Sequence, residues 1–276
     1  MSAAGDAECV AFLQWALPRL GRRWAGYRKV RRQVCRRARH RAQALGLGSL
    51  ADYRSHLERH PEEWQELDAL TNITISRFYR DRGVFAFIQS DVLPALLVRA
   101  RDSGSAVVRA WSAGCASGEE PYTLAIIWEL EIAPQARGID LQIFATDVEP
   151  AMLRRSQEAR YPPSALRELP ESWREAAFVP DEDDLALLPR FRRHVTVARH
   201  DIRTEPPGGP FDLILCRYVA FTYFDEAGER DTLRRLARAC QAGAVLVIGT
   251  HEDLPAGEPG FIPWAPRLGV FRRGQV

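Results

Sequence analysis

The sequence predicts an α/β chain in which a small all-helical N-terminal part precedes a mostly parallel sheet covered by helices, with a small subdomain inserted in the sheet region. Three observations carry this expectation. Apolar residues recur at helical spacing between residues 9 and 70. From residue 106, short apolar runs rich in branched residues alternate with helix-like segments, the mark of right-handed βαβ units. A stretch dense in proline and charge, 161–193, interrupts that alternation and is read as the insert.

In the N-terminal part, Phe12, Leu13, Ala16, Leu17 and Leu20 form one stripe, and Val30, Val34 and Ala38 another. A further helix is expected from Ser49, broken at Pro61 and followed by one that ends near Thr71. The helical domain is therefore assigned to 1–72. "ITISRFYRD" at 73–81 and the helical spacing of Phe85, Ile88, Val92 and Leu96 make 73–105 a linker that carries a motif and a helix. The sheet domain is assigned to 106–276. Its strands are expected in "AVVRAWS", "IDLQIFAT", "FDLILCR" and "AVLVIGT", its helices near 120–132, 149–159 and 226–241. The terminal "FIPWAPRLGVFRR" is expected to return as an antiparallel edge strand.

A composition of 46% hydrophobic and 27% charged residues is that of a soluble globular chain. With no signal peptide and no apolar stretch approaching the roughly 20 residues of a membrane span, a cytoplasmic protein without membrane insertion is expected. Cysteines at 9, 35, 115, 216 and 240, an odd number without any CxxC pair, argue against a disulfide framework and a zinc knuckle. They read mostly as small buried hydrophobes, and no metal is expected. The net charge of +2 hides a concentration of arginine in "RKVRRQVCRRARHR" at 28–41, where Lys29 is the only lysine of the chain. Nucleic acid is not the expected partner, because no interleaved aromatics or recognition motif accompany these charges. This basic helix either faces a partner or is a solvated face, with Arg31, Arg32 and Arg39 outward and Val30, Val34 and Ala38 inward.

The chemistry concentrates in "AWSAGCASGEEPYTLA", 110–125. A strand ends there, Gly114 and Gly118 allow a tight turn, and Pro121 suits the first turn of a helix. Neither a Walker loop nor G-x-G-x-x-G is present. Glu119 and Glu120 at the helix start would repel a phosphate and attract an ammonium group. The next strand ends in "FATDVEP", placing Asp147 where an acid hydrogen-bonds a ribose diol. In "ARHDIRTE", Asp201 and the Ile202 amide are set to meet an adenine edge. Helix capping accounts for any one of these acids alone. Three in order along one rim favour a ligand with an ammonium, a ribose and an adenine, which is S-adenosylmethionine (SAM).

The stretches "RAQALGLGSLADYRSHL", "EWQELDALTN", "ITISRFYRD", "VRAWSAGCASGEEPYTLA", "IFATDVEPAML", "GPFDLILCR", "YFD" and "VIGTHE" extend the reading over almost the full chain, which resembles the CheR-type chemotaxis-receptor glutamate methyltransferases. The resemblance implies a Rossmann-like SAM-dependent methyltransferase domain and a helical domain that closes over the cofactor. It also implies methyl transfer to glutamate carboxylates of a chemoreceptor cytoplasmic domain, approached through the helix 28–41, with S-adenosylhomocysteine as product. By the same resemblance Thr74, Ser76 and Arg80 reach the methionine part of the cofactor, Glu120 its amino group, Asp147 the ribose, and Asp201 and Ile202 the adenine. Gly114 shapes the cofactor loop, and Arg217 and Arg80 serve the reacting centre with a tyrosine.

Two departures stand out. Thr74 takes a place usually held by asparagine, with Asn72 two residues upstream as a substitute. "CRYVAFTYFD" has Tyr218 where the family has asparagine and one extra residue before Tyr223, so either Tyr218 or Tyr223 is the active-site tyrosine. This leaves open a CheR-like enzyme acting on a small molecule or another acceptor, and a SAM-binding regulator without catalysis. A glutamate acceptor, whose side chain ionises in water at about pH 4.3, needs no general base at neutral pH. The site must chiefly aim the carboxylate, a task for the planar fork of an arginine.

Overall fold

The computed structural model describes residues 3–257 and 260–274. It divides into two compact units, the chain up to Ile73 together with Thr222–Glu229, and Thr74–Phe221 together with Arg230 onward.

The first unit is helical: α1 (Ala3–Ala16), α2 (Trp24–Tyr27), α3 (Arg31–Ala44), α4 (Leu50–Arg59) and α5 (Glu63–Leu70). Their expected apolar stripes meet in one core, where Leu13, Leu17, Val34, Tyr53, Leu57 and Leu67 are buried. Ser49 caps α4 by accepting the Asp52 amide at 3.0 Å. Within this core Glu63 is buried, held by Arg41 at 2.8 and 2.7 Å and by the Tyr53 hydroxyl at 2.7 Å. The Arg41 guanidinium, countering burial, keeps its carboxyl below the ordinary glutamate range.

Three expectations are corrected here. Cys9 and Cys35 form a disulfide that ties α1 to α3. Their spacing of 26 residues carries no pattern, and the pairing comes from helix packing that brings the two Cα atoms to 5.8 Å. The basic helix is less outward than its sequence suggests, because Arg31 pairs with Asp6 and Arg39 with Glu8 on α1, while Arg37 donates to the carbonyls of Leu70 and Asn72. Arg28, Lys29, Arg32 and Arg36 are exposed and have no ion-pair partner among the described residues. Finally, Thr222–Glu229, expected in the sheet domain, joins the helical unit. The amide of Arg23 donates to the carbonyl of Tyr223 at 2.9 Å, that of Asp225 to Gly21, and a Cβ on Gly26 would overlap the Thr222 carbonyl.

The second unit begins with the linker and a helical run, α6 (Arg82–Phe87), a π-turn over Ile88–Val92 and α7 (Leu93–Ser103). This run is long and apolar enough to cross a membrane, contrary to the expectation that no such stretch exists. Its apolar side, Val84, Phe85, Ile88, Leu93, Leu96 and Leu97, is buried in the core under the sheet, which accounts for its composition without a lipid phase.

The sheet uses β1 (Val107–Ala113), β2 (Asp140–Asp147), β6 (Val195–Arg199), β7 (Phe211–Leu215) and β8 (Cys240–Val247) in parallel, with β9 (Phe261–Ala265) and β10 (Val270–Arg273) antiparallel at one side. The order is β6-β2-β1-β7-β8-β10-β9. The C-terminal stretch is thus a hairpin of two strands rather than the single edge strand expected. Helices α8 (Glu119–Ile127), α9 (Pro150–Glu158) and α13 (Glu226–Ala239) lie where the sequence placed them, and a short α12 (Ala220–Tyr223) precedes the last. The insert has a structure of its own. β3 (Arg160–Tyr161), β4 (Phe178–Asp181) and β5 (Asp184–Leu187) form an antiparallel sheet in the order β3-β5-β4, with α10 (Glu171–Ala177) before β4 and α11 (Pro189–Arg192) after β5. The Tyr161 hydroxyl donates to the Ser117 carbonyl at 2.7 Å, anchoring the insert to the glycine loop.

Candidate active site

Strand order reverses at β1, whose neighbours β2 and β7 lead to opposite edges, and ligands of open α/β sheets bind beyond the carboxyl ends of the strands at that point. After β1 the chain turns through Gly114 at φ 82° and Gly118 at φ 94°. These are positions for glycine on two counts. The conformation is left-handed, and a Cβ at 114 would come within 2.5 Å of Val219 while one at 118 would collide with Ser156.

The two glutamates that open α8 diverge. Glu119 is buried, accepts the Ser117 hydroxyl on both oxygens at 2.9 Å and meets the Ser76 hydroxyl. Burial pushes its carboxyl above the usual range. Ser76, expected at the cofactor's methionine part, is thus engaged by Glu119, and of the pair it is Glu120 that forms an ion pair with Arg217. Glu120 accepts the Ser112 hydroxyl at 2.8 Å and Arg217 Nη1 at 3.0 Å.

Asp147 ends β2 and accepts the amides of Ala116 at 2.9 Å and Glu149 at 3.0 Å. Burial outweighs these bonds and raises its carboxyl. Past β6, Asp201 is gripped by the Arg203 side chain at 2.7 to 3.1 Å, a local pair that sequence reading did not anticipate. Ile202 is buried in the same turn.

Past β7, Arg217 is nearly inaccessible, with 3% of its side chain exposed. Its Nη2 donates to Asp81 at 2.6 Å and to the Arg80 carbonyl at 3.0 Å, and its buried Nε has no partner among the described residues. Tyr218 follows at φ 57°, a conformation strained for a bulky residue. The surroundings impose it. Glu252 accepts its amide at 2.9 Å, its hydroxyl donates to Asp81 at 2.6 Å beside Thr250, and its ring occupies the space that a Cβ on Gly249 would need. Burial, then the bond to Asp81, pushes its phenol up. Arg80 donates to the Ile75 carbonyl and lays its guanidinium 4.1 Å from the centre of the Tyr218 ring.

Glu120, Arg217, Arg80 and Tyr218 therefore come together as expected residues, and Asp81 joins them as one the sequence reading missed. Thr74 is half-buried at the start of the linker. Asn72, the proposed substitute for it, lies in the helical unit, where its side chain accepts Arg22 at 3.1 Å. Of the two tyrosines, Tyr223 packs in the helical unit with its ring 4.9 Å from that of Tyr27. Tyr218 is the one that shares a carboxylate with Arg217.

The residues fit a SAM-type ligand by chemistry. Carboxylates follow β1 and β2, no phosphate-binding lysine is present, and a buried guanidinium retains an unused donor.

Comparison with known proteins agrees. Residues 74–264 match the family model "CheR methyltransferase, SAM binding domain", and residues 29–71 match "CheR methyltransferase, all-alpha domain". A chemotaxis protein methyltransferase of Listeria monocytogenes is 34% identical over 206 residues, covering 75% of this chain and 75% of that protein. Its counterpart in Listeria innocua is also 34% identical over 206 residues, with 75% of each chain covered. The solved N-methyltransferase NodS from Bradyrhizobium japonicum, in complex with S-adenosylhomocysteine, is 16% identical at a TM-score of 0.36, covering 71% of this chain and 91% of its own. With both family models matched in order and relatives above 30% identity over most of their length, the chain belongs to the CheR methyltransferase family, SAM-dependent enzymes with an all-helical domain ahead of the SAM-binding domain.

Proposed function

We propose that the chain is a cytoplasmic enzyme that methylates glutamate carboxylates of a chemoreceptor-type protein. The observation that carries this reading is the buried Arg217 beside Tyr218 at the end of β7. The guanidinium and the phenol are hydrogen-bond donors, suited to an acceptor oxygen that arrives already ionised. Bound SAM supplies an electrophilic methyl on a sulfonium. The protein's part is to align the attacking oxygen, and an arginine with a tyrosine hydroxyl does so without removing a proton. Glu120 takes the ammonium of the cofactor and Asp147 its ribose, with the turn at Asp201 and Ile202 beside the adenine. Arg80, Thr74 and Ser76 border the methionine part, although Ser76 first answers to Glu119.

The exposed Arg28, Lys29, Arg32 and Arg36 support an acidic protein partner, since complementary charge speeds encounter. Relatives named chemotaxis protein methyltransferase point the same way. The test is peptide mapping of a chemoreceptor cytoplasmic fragment after incubation with SAM and enzyme. Methyl groups confined to glutamate-containing peptides, and lost when those glutamates become alanine, support the reading. Methyl on lysine or arginine, or none on the receptor while a small molecule is labelled, contradicts it.

A further inference from the structure

Asp81 closes "ITISRFYRD" and stands at φ 61°. Its Oδ2 accepts both Arg217 Nη2 and the Tyr218 hydroxyl at 2.6 Å. The other terminal nitrogen of Arg217 reaches Glu120 at 3.0 Å, so one guanidinium lies between two carboxylates. Two non-glycine residues, Asp81 and Tyr218, sit in the left-handed region and bond to each other. Such conformations are strained for residues with a Cβ and persist where the surroundings over-determine them.

We propose that Asp81 is a positioning residue that shares Arg217 with Glu120, so that Glu120 is not fully neutralised and keeps charge for the cofactor's ammonium, and that fixes the Tyr218 hydroxyl beside it. The charge count explains why this matters. Arg217 and its two carboxylate partners together carry a net negative charge, which an incoming ammonium neutralises, while the Arg80 guanidinium lies over the Tyr218 ring and donates to the Ile75 carbonyl. Without the Asp81 charge, Arg217 and Glu120 neutralise each other and the ammonium must compete with an internal cation. This rests on the reading that Glu120 binds the ammonium.

The test is calorimetric titration of the full chain with S-adenosylhomocysteine, which requires no methyl acceptor. Asp81→Asn keeps the side-chain shape and a residue type that tolerates this φ, and Asp81→Gly adopts it without strain. Both are expected to weaken binding about fivefold or more, and the same changes in an Arg217→Gln background are expected to cost less than about twofold. That rescue separates positioning through Arg217 from a general loss of structure. A smaller effect of both variants, or an equal loss in both backgrounds, overturns the assignment. Glu120→Ala in the same titration distinguishes the premise: unchanged affinity there removes the ammonium role itself and the proposal with it. If Glu120→Ala weakens binding and the Asp81 variants do not, only the Asp81 assignment falls.

Discussion

Glu119 and Glu120 are neighbours in sequence and differ in chemistry because α8 turns them about 100° apart. Glu119 faces Ser117 and Ser76 in a buried pocket, and Glu120 faces Arg217. Glu120→Ala is therefore expected to weaken S-adenosylhomocysteine binding about tenfold or more by calorimetry, in line with the loss of a charge-assisted contact. Glu119→Gln, which keeps an acceptor for Ser117, is expected to leave affinity within about twofold. The strand-end acids were legible in the sequence because the turn glycines and the βαβ rhythm locate the ends of β1 and β2. Asp81 was not, because its bonds depend on a left-handed φ that an aspartate after an arginine does not announce. For Asp201, which follows β6, the grip of Arg203 was not foreseen.

At the scale of elements, the helical periodicity placed α1, α3, α4 and α5, and alternation placed β1, β2, β7 and β8. What escaped was pairing at long range. Neither the Cys9–Cys35 link nor the move of Thr222–Glu229 into the helical unit leaves a local signal, since both arise from which helices pack together. The Gly26 position makes the second packing testable. Gly26→Ala would force a methyl into the Thr222 carbonyl, and a destabilisation of about 1–3 kcal/mol is expected in urea unfolding followed by circular dichroism.

Glu63 gives the same unit a pH dependence of known sign. Its folded carboxyl is held below its ordinary value of 4.5, so its contribution is complete above that value and is lost as pH falls through the lower folded pKa. Glu63→Gln is expected to lower stability at pH 7 by about 1–3 kcal/mol and to flatten the fall of stability on the acid side of the wild-type curve. Denaturant titrations across that range read both effects.

At the scale of the molecule, the arginines of the N-terminal region divide into paired and exposed sets. Arg31, Arg39 and Arg41 are spent on internal pairs, whereas Arg32 and Arg36 lie four residues apart on the exposed face of α3 and Arg28 is exposed in the turn before it. Replacing these three by glutamate is expected to cut methylation of a receptor fragment about tenfold at low ionic strength, with the deficit shrinking as salt screens the interaction. Affinity for S-adenosylhomocysteine is expected to stay unchanged in that variant. An equal deficit at all salt concentrations would remove the electrostatic role of this face.

Carboxylate methylation guided by Arg217 is tested by following the methyl group itself. Tritium-labelled SAM is incubated with a chemoreceptor cytoplasmic fragment and either the wild-type enzyme or Arg217→Ala, and the labelled protein is then treated with base. Label released as volatile methanol, the signature of a carboxyl ester, is expected from the wild-type reaction, and little or none with Arg217→Ala. Base-stable label on the receptor, or full turnover without the arginine, would contradict that chemistry.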